Sequence, residues 1–278
     1  MISYQAHGYL VLAQGTSTSR QKLLELLPEH LRERVPGPRS VKHVFREAVT
    51  EWARGIEGLP GDHHRLSAVV PVKCAAKGDV IYEVVAAIEQ TTAENYYRPI
   101  ARAVLTAAGE VAEMVGTGVA SQSLHDCVAV AQATLSPQQV SDMVVTYLHD
   151  CLQAVQLVPG MRVFWVDRLG DLPEINKALR GARGAEQLVF RIQANEDTLR
   201  YVTSAITREI AEKVKTIYEE LGRGEIGPRA AENRRRRVEM LHRRVERYES
   251  MISEGQSALR KLLDDVDKQL AVATMAAM

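Results

Sequence analysis

The chain has 278 residues, and its 35 lysines and arginines equal its 35 aspartates and glutamates in number. A formal net charge of zero excludes a nucleic-acid or membrane binder that relies on overall positive charge. The apolar fraction of 46% and the charged fraction of 25% are typical of globular proteins, and the length allows one large domain or two smaller ones.

The start of the chain, residues 1–20, has no cationic segment, and its apolar run over residues 9–13 is too short for a signal peptide or an anchor. No stretch approaches the roughly 20 apolar residues that a helix needs to span a bilayer. The three cysteines, Cys74, Cys127 and Cys151, are too widely spaced for a disulfide framework. We therefore expect a cytoplasmic protein with no membrane partner.

The first part of the chain predicts one strand and two short amphipathic helices. Residues 9–14 are typical of a strand, and Ser19 is a suitable N-cap for a helix over residues 20–27. A proline-rich break then precedes a second helix over residues 40–54, in which apolar side chains recur at helical spacing.

The middle of the chain predicts an antiparallel sheet. The apolar period changes to two, and residues 68–90 are typical of a hairpin with its turn at residues 77–79. A second predicted hairpin covers residues 100–115, with its turn at residues 107–109. We expect these strands to form the central sheet of the fold, with one face exposed to water.

The following part of the chain predicts helices and strands in alternation. Its first helix starts at Ser136 and Pro137, with serine at the cap and proline in the first turn, and ends near residue 154. Two apolar runs around residues 159–160 then predict a tight hairpin, and helix followed by hairpin is also the order of winged-helix modules. The remaining elements here are a helix over residues 172–179 and a strand over residues 188–192.

The C-terminal part predicts two long helices. The first covers residues 195–221, where apolar side chains recur every three or four positions. The second covers residues 229–272, about 65 Å at 1.5 Å per residue, and its apolar side chains follow the alternate steps of a coiled coil, with Gly255 and Gln269 in the remaining core positions. The predicted seam consists of Val238, Leu241, Val245, Tyr248, Ile252, Leu259, Leu262 and Val266.

The partner of this seam is either the preceding helix, folded back as a helical hairpin, or the same helix of another subunit. Because the second helix is much longer than the first, an intramolecular hairpin leaves part of the apolar seam uncovered. We therefore expect a homo-oligomer.

The strongest local charge feature is a run of arginines near the start of the last helix. Four consecutive arginines point in all directions around a helix, and the interspersed glutamates can pair with them one turn away. One interpretation is a solvated, salt-bridged helix face. The other is contact with nucleic-acid phosphates, which arginine binds through its forked guanidinium group. The candidate phosphate contacts are Arg234, Arg235, Arg236, Arg237, Arg243 and Arg244.

Other reactive side chains do not form a complete motif. Leu-His-Asp-Cys occurs twice, ending at Cys127 and Cys151, but His149 and Cys151 project about 200° apart on a helix and cannot share a zinc ion. A serine, a histidine and an aspartate at residues 123–126 lack the nucleophile-elbow sequence. We therefore predict no catalytic, cofactor-binding or metal-binding residue, and we expect the thiols in the core and the histidines on the surface.

The sequence thus predicts an α+β fold with a central antiparallel sheet, flanking helices and a long C-terminal helical hairpin or coiled coil. Residues 1–193 are the predicted α+β body, and residues 194–278 are the predicted helical domain. The predicted function is that of a non-enzymatic assembly or scaffold protein that acts through its coiled coil on an unidentified protein partner. A nucleic-acid-binding protein that uses the arginine-rich helix is the alternative, and an unidentified enzyme with its site at the loop over residues 167–186 is the third hypothesis.

Overall fold

The structure is a computed structural model that describes residues 7–56, 67–72, 78–89, 95–116, 122–193, 195–222, 228–248 and 256–276. Its strands are β1 (His7–Leu12), β2 (Thr18–Ser19), β3 (Ser67–Pro71), β4 (Val80–Glu89), β5 (Asn95–Leu105), β6 (Val111–Val115), β7 (Thr134–Leu135), β8 (Val155–Gln156), β9 (Val163–Val166) and β10 (Leu188–Gln193). Its helices are α1 (Arg20–Leu26), α2 (Glu29–Arg32), α3 (Val41–Arg54), α4 (Leu124–Ala133), α5 (Pro137–Asp150), α6 (Leu172–Gly181), α7 (Glu196–Gly222), α8 (Pro228–Arg247) and α9 (Gln256–Ala276).

The chain divides into two compact units. The terminal unit contains Met1–Thr16, Leu27–Arg34 and Pro137–Met278, and the central unit contains Ser17–Leu26 and Val35–Ser136. Each unit therefore combines segments that are distant in sequence. The predicted boundary between residues 193 and 194 falls inside the terminal unit.

The central unit contains a four-stranded antiparallel sheet in the order β3-β4-β5-β6. Both predicted hairpins are present, and pairing of β4 with β5 joins them into one sheet. Gly78, which precedes β4, and Gly109, in the turn between β5 and β6, adopt φ angles of 97° and 90°, a conformation that glycine adopts without strain. Residue 77 of the first predicted turn lies outside the described residues. Helices α3 and α4 pack on this sheet, and their side chains Phe45, Trp52 and Leu124 join its core.

The terminal unit contains a second four-stranded antiparallel sheet, in the order β10-β1-β9-β8. Its strands come from both ends of the chain: Tyr9 of β1 lies opposite Arg191 of β10 on one side and opposite Val166 of β9 on the other. The predicted hairpin of β8 and β9 is therefore part of a larger sheet, which differs from the isolated wing of a winged-helix module.

The C-terminal segment is helical, as predicted, but its described residues form three helices instead of two. The predicted single helix over residues 229–272 is wrong, because α8 ends at Arg247 and α9 begins at Gln256. Asp267 Oδ2 lies 3.0 Å from His242 Nε2, although 25 residues of one straight helix would separate them by about 37 Å. Helix α9 therefore packs beside α8, and it also contacts α7.

Most of the predicted seam is buried within the single chain. Its side chains pack with inward-facing residues of α7 such as Ile206 and Ile210. Leu262 is partly buried, and Ile252 lies outside the described residues. The expectation of an uncovered seam is therefore wrong for the described positions, and homo-oligomerisation stays a prediction without that support. The buried seam residues are Val238, Leu241, Val245, Tyr248, Leu259 and Val266.

In α9 the predicted heptad register coincides with the buried Leu259 and Val266 but not with the other buried leucines. Leu263 and Leu270 are buried there, whereas Gln269, which the register places in the core, is exposed. Because α8 and α9 are separate helices, the register of one does not determine that of the other. Coiled-coil packing of these helices is not confirmed.

The fold is a mixture of helices and antiparallel sheets, which confirms the broader part of the predicted class. The predicted central sheet corresponds to the sheet of the central unit, and the terminal unit adds a second sheet of equal strand number. Across the described ranges, no helix is both long enough and apolar enough to cross a membrane.

Candidate functional site

A cavity of about 350 Å³ lies in the terminal unit, between the C-terminal end of α5 and helices α7 and α8. This volume is within the range of small-molecule sites. Helix α8 contributes Arg237, Met240, Leu241 and Arg244 to its lining. These positions are three, four and seven residues after the first one, so they form a single face of the helix.

The other two helices complete the lining. Lys213, Thr216 and Ile217 of α7 have the same helical spacing, and His149 and Asp150 come from the last turn of α5. The cavity therefore depends on three helices that are brought together by packing of the terminal unit.

Arg244 is the most deeply buried charged group of this lining, with a side chain that is 4% exposed. Its Nη1 donates a hydrogen bond to Glu209 Oε1 at 2.5 Å, and its Nη2 lies 3.2 Å from His149 Nδ1. Its Nε has no hydrogen-bond partner among the described residues. The protein therefore satisfies this buried guanidinium group only in part.

Glu209 of α7 is the counterion of Arg244. It also accepts a hydrogen bond at 2.6 Å from Lys213 Nζ, one helical turn further along α7. Burial raises the pKa of Glu209, but the positive charges of Arg244 and Lys213 lower it more, so its pKa lies below the ordinary value. Glu209 is therefore an ionised carboxylate at neutral pH.

His149 is the neutral member of this cluster. Its ring packs edge-on against Phe164, with ring centroids 5.2 Å apart. Burial, together with the positive charges of Arg244 and Lys213, lowers the pKa of His149 to about 4. Because arginine only donates hydrogen bonds, Nδ1 accepts from Arg244 and the ring proton is on Nε2. The expectation of surface histidines is wrong for His149, which is half-buried.

Further ion pairs surround the lining. Arg237 Nη1 lies 3.6 Å from Glu220 Oε1, while Arg234 Nε donates to the other carboxylate oxygen of Glu220 at 2.9 Å. Asp150 Oδ2 lies 3.6 Å from Arg34 Nη1. The side chain of Arg237 is 55% exposed, so its positive charge is accessible from solvent at the cavity.

The structure divides the six arginines predicted as phosphate contacts into three groups. Two line the cavity, and one, Arg234, is largely buried beside Glu220 of α7. The other three are at least 50% exposed and lie 3.2 to 3.9 Å from glutamates of their own helix. The cavity pair is Arg237 and Arg244, and the exposed three are Arg235, Arg236 and Arg243.

No sequence motif identifies His149, Glu209 or Lys213 as site residues. The one sequence feature that points to the site is the position of Glu209, three residues after Ile206 and one before Ile210, on the buried face of α7. A carboxylate on an inward helix face needs a cationic partner, but the periodicity of α7 does not show which one.

The two Leu-His-Asp-Cys segments belong to different units, the one ending at Cys127 to the central unit and the one ending at Cys151 to the terminal unit. Among the described residues, no group of three or more His, Cys, Asp and Glu side chains is placed to hold a metal ion. Cys127 is buried and Cys151 is partly buried; both are free thiols, and burial raises the pKa of each. Cys74 lies outside the described residues.

Comparisons with known proteins identify one family. Residues 13–278 match the family model described as "Family of unknown function (DUF6744)". No curated protein and no solved structure matches the chain. Because the match begins at residue 13 and continues to the last residue, the chain belongs to this family of unknown function.

Proposed function

We propose that the protein is a non-enzymatic binding protein whose cavity between α5, α7 and α8 takes up a small organic anion. The observation that carries the proposal is the set of charges in one cavity: Lys213, Arg237 and Arg244 line it together with a single carboxylate, Asp150. Each of the three cations has an ion pair with a glutamate, but two cations share each glutamate, so positive charge remains in excess. An anionic ligand neutralises that excess.

The rest of the lining supports an organic ligand. Ile217 and Leu241 are buried apolar side chains, and Met240 adds an apolar side chain that is partly exposed. Lys213 and Arg237 add cationic groups to the same cavity. Apolar walls with a few convergent charges are typical of small-molecule sites, where apolar burial supplies affinity and the charges orient the ligand.

The titratable groups favour binding over proton-transfer catalysis. A general base works best when its pKa is near the working pH. His149, with a pKa of about 4, and Glu209, with a pKa below its ordinary value, are both weak bases at neutral pH. Their role in this proposal is to hold Arg244 and Lys213 in position.

Thermal unfolding of the full chain tests the proposal with benzoate, phenyl phosphate and naphthalene-2-sulfonate as probes. A ligand that binds only the folded state stabilises it by about 2.7 kcal/mol at a free concentration of 100 times its Kd. We expect at least one of these anions to raise the unfolding midpoint, and we expect uncharged benzyl alcohol at the same concentration to have a smaller effect.

Two neighbouring arginines provide a matched pair of variants. Arg237 and Arg236 are both exposed, but only Arg237 belongs to the cavity lining described above. In Arg237→Gln, Glu220 keeps its ion pair with Arg234, so the variant should fold. We expect Arg237→Gln to lose most of the anion-dependent rise in midpoint and Arg236→Gln to retain it. An unchanged midpoint with all three anions, or an equal loss in both variants, contradicts the proposal.

Binding of nucleic-acid phosphates is a second candidate function. It is favoured by the exposure of Arg235, Arg236 and Arg243, whose ion pairs with glutamates of their own helix are of the weak surface type. Fluorescence anisotropy with a labelled oligonucleotide at several salt concentrations tests it. Affinity that falls by about one logarithmic unit per decade of salt for each phosphate contact supports this candidate, and affinity that is independent of salt contradicts it.

The scaffold hypothesis predicts a homo-oligomer, but the burial of the described seam residues within one chain leaves it less support. Light scattering of the purified chain measures its mass directly. A mass of two or more times 30.9 kDa supports the predicted homo-oligomer, and a mass of 30.9 kDa contradicts it.

A further inference from the structure

We infer that the anion bound in the cavity is a phosphate monoester with an apolar organic group. This inference rests on the proposed anion-binding function and names the class of ligand. It depends on three features of the described side chains: the excess charge at the cavity, the number of hydrogen-bond donors, and the apolar wall.

The charges at the cavity leave an excess of two positive charges. The lining contributes one carboxylate and three cations, and the ion pairs that extend from it add two carboxylates and two cations. His149 is neutral, because its pKa of about 4 is far below neutral pH. The five cations are Arg34, Lys213, Arg234, Arg237 and Arg244, and the three carboxylates are Asp150, Glu209 and Glu220.

This excess matches the charge of a phosphate monoester. Such a group carries a charge of about −1.5 to −2 at neutral pH, because its second pKa is near 6. A carboxylate or a phosphodiester carries a single negative charge and would leave one positive charge without a partner. Opposite charges that interact inside a protein are worth more than in water, so the cavity should discriminate between these anions.

The hydrogen-bond donors also suit a terminal phosphate. The side chains of Arg237 and Lys213, on two different helices of the lining, are 55% and 48% exposed, so their donors are accessible in the cavity. Arg244 is buried and contributes its charge. A terminal phosphate has three acceptor oxygens that can bind donors from different directions, whereas a carboxylate has two. Guanidinium groups bind such oxygens in pairs, which adds geometric selectivity to the attraction of charge.

The apolar wall favours an ester over free inorganic phosphate. Ile217, Met240 and Leu241 line the same cavity as the cations. Transfer of an apolar group from water to this wall is favourable in proportion to the area that it buries. Inorganic phosphate has no such group, so it gains only the contribution of the charges.

Isothermal titration calorimetry of the full chain at neutral pH tests the inference with four probes. Phenyl phosphate is the dianionic monoester, methyl phenyl phosphate is the matching monoanionic diester, benzoate is the matching carboxylate, and inorganic phosphate lacks the ring. We expect the Kd of phenyl phosphate to be at least about tenfold lower than that of each other probe, because only it satisfies both the charge and the apolar wall.

The outcomes separate this inference from the proposed function. Benzoate or methyl phenyl phosphate that binds as tightly as phenyl phosphate overturns the inference and leaves the anion-binding proposal standing. Inorganic phosphate that binds equally well overturns the requirement for an apolar group. Absence of binding by all four probes contradicts both the inference and the proposal.

Three variants assign the preference to named side chains. Arg237→Gln removes one excess charge and should reduce the preference for phenyl phosphate over benzoate, whereas Arg236→Gln should preserve it. Met240→Ala shortens the apolar wall and should weaken binding of phenyl phosphate several-fold with little effect on inorganic phosphate. A preference that is unchanged in Arg237→Gln places the binding elsewhere and overturns the inference.

Discussion

At the residue scale, the buried pair of Glu209 and Arg244 connects α7 with α8. The two side chains are 11% and 4% exposed, so neither charge is well hydrated. Each therefore depends on the other, and removal of one leaves an uncompensated charge in the interior. Lys213 also forms an ion pair with Glu209, but its side chain is about half exposed. Water therefore hydrates the charge of Lys213 better than that of Arg244.

Glu209→Gln tests this dependence. It keeps the shape of the side chain but leaves Arg244 without its counterion, so we expect the terminal unit to lose about 3 kcal/mol of stability. The chain has two tryptophans, Trp52 in the central unit and Trp165 in the terminal unit. Urea unfolding followed by tryptophan fluorescence in a Trp52→Phe background therefore reports on the terminal unit.

Glu186→Gln is the control for this measurement. Glu186 forms an ion pair with Arg180, and the latter side chain is 71% exposed, so water can replace the carboxylate. We expect no measurable shift of the urea midpoint in this variant. Equal midpoints for Glu209→Gln and Glu186→Gln would show that the buried pair does not stabilise the unit.

His149 predicts a specific pH dependence of stability. Its pKa is about 4 in the folded chain, against an ordinary value of 6.5, so between these values the unfolded chain binds more protons. Stability is therefore greatest above pH 6.5 and decreases as the pH falls towards 4, with a slope of at most about 1.4 kcal/mol per pH unit. Glu209, whose pKa is also lowered, adds to this loss only below its ordinary value of 4.5.

Unfolding of the terminal unit between pH 6.5 and 4.5 isolates this contribution of His149. His149→Gln removes the titrating group, so we expect a smaller slope of unfolding free energy against pH. His125→Gln, a change at an exposed histidine of α4, should retain the slope of the parent chain. Identical slopes in the parent and His149→Gln would contradict the assigned depression of the pKa.

At the element scale, the buried face of α9 predicts which leucines stabilise the helix packing. Leu263 is fully buried, whereas Leu262, the position favoured by the sequence register, is partly buried. We expect Leu263→Ala to lower the unfolding free energy by about 2 to 5 kcal/mol, because it leaves a cavity in the core. Leu262→Ala, the same change one position away, should cost less; a larger loss in Leu262→Ala would restore the predicted register.

Elements that depend on local signals are predictable from the sequence, and elements that depend on distant pairing are not. The hairpins of the central unit depend on local signals, alternation of apolar residues and turns at Gly78 and Gly109, and these hairpins are present. Pairing of β1 with β10 joins residues that are more than half the chain apart, and no local signal specifies it. Leu263 and Leu270 of α9 depart from the predicted register for a similar reason, since the register of one helix does not determine that of a separate helix.

The sequence indicates the arginines of the candidate site but not the residues that they contact. Arg237 and Arg244 stand out in the sequence as members of an arginine run, and both line the cavity. His149 is 95 residues from Arg244 in sequence, so only the packing of α5 against the C-terminal helices reveals their contact. Helical spacing identifies a face of one helix but not the face that it meets.

At the scale of the whole molecule, zero net charge does not exclude a local anion site. The formal charges of the chain balance at 35 of each sign, yet the cavity lining and its ion-pair partners together carry an excess of two positive charges. Net charge governs long-range attraction to polyanions, whereas recognition of a small ligand depends on the few charges that surround it. A neutral chain is therefore compatible with selective binding of a dianion.

A crystal structure of the chain with phenyl phosphate is the most direct test of the proposed site. The account predicts the phosphate beside Arg237, Arg244 and Lys213, and the phenyl ring against Met240 and Leu241. Phenyl phosphate bound at another place, or an empty cavity in crystals grown at a concentration that saturates the protein in solution, would contradict it.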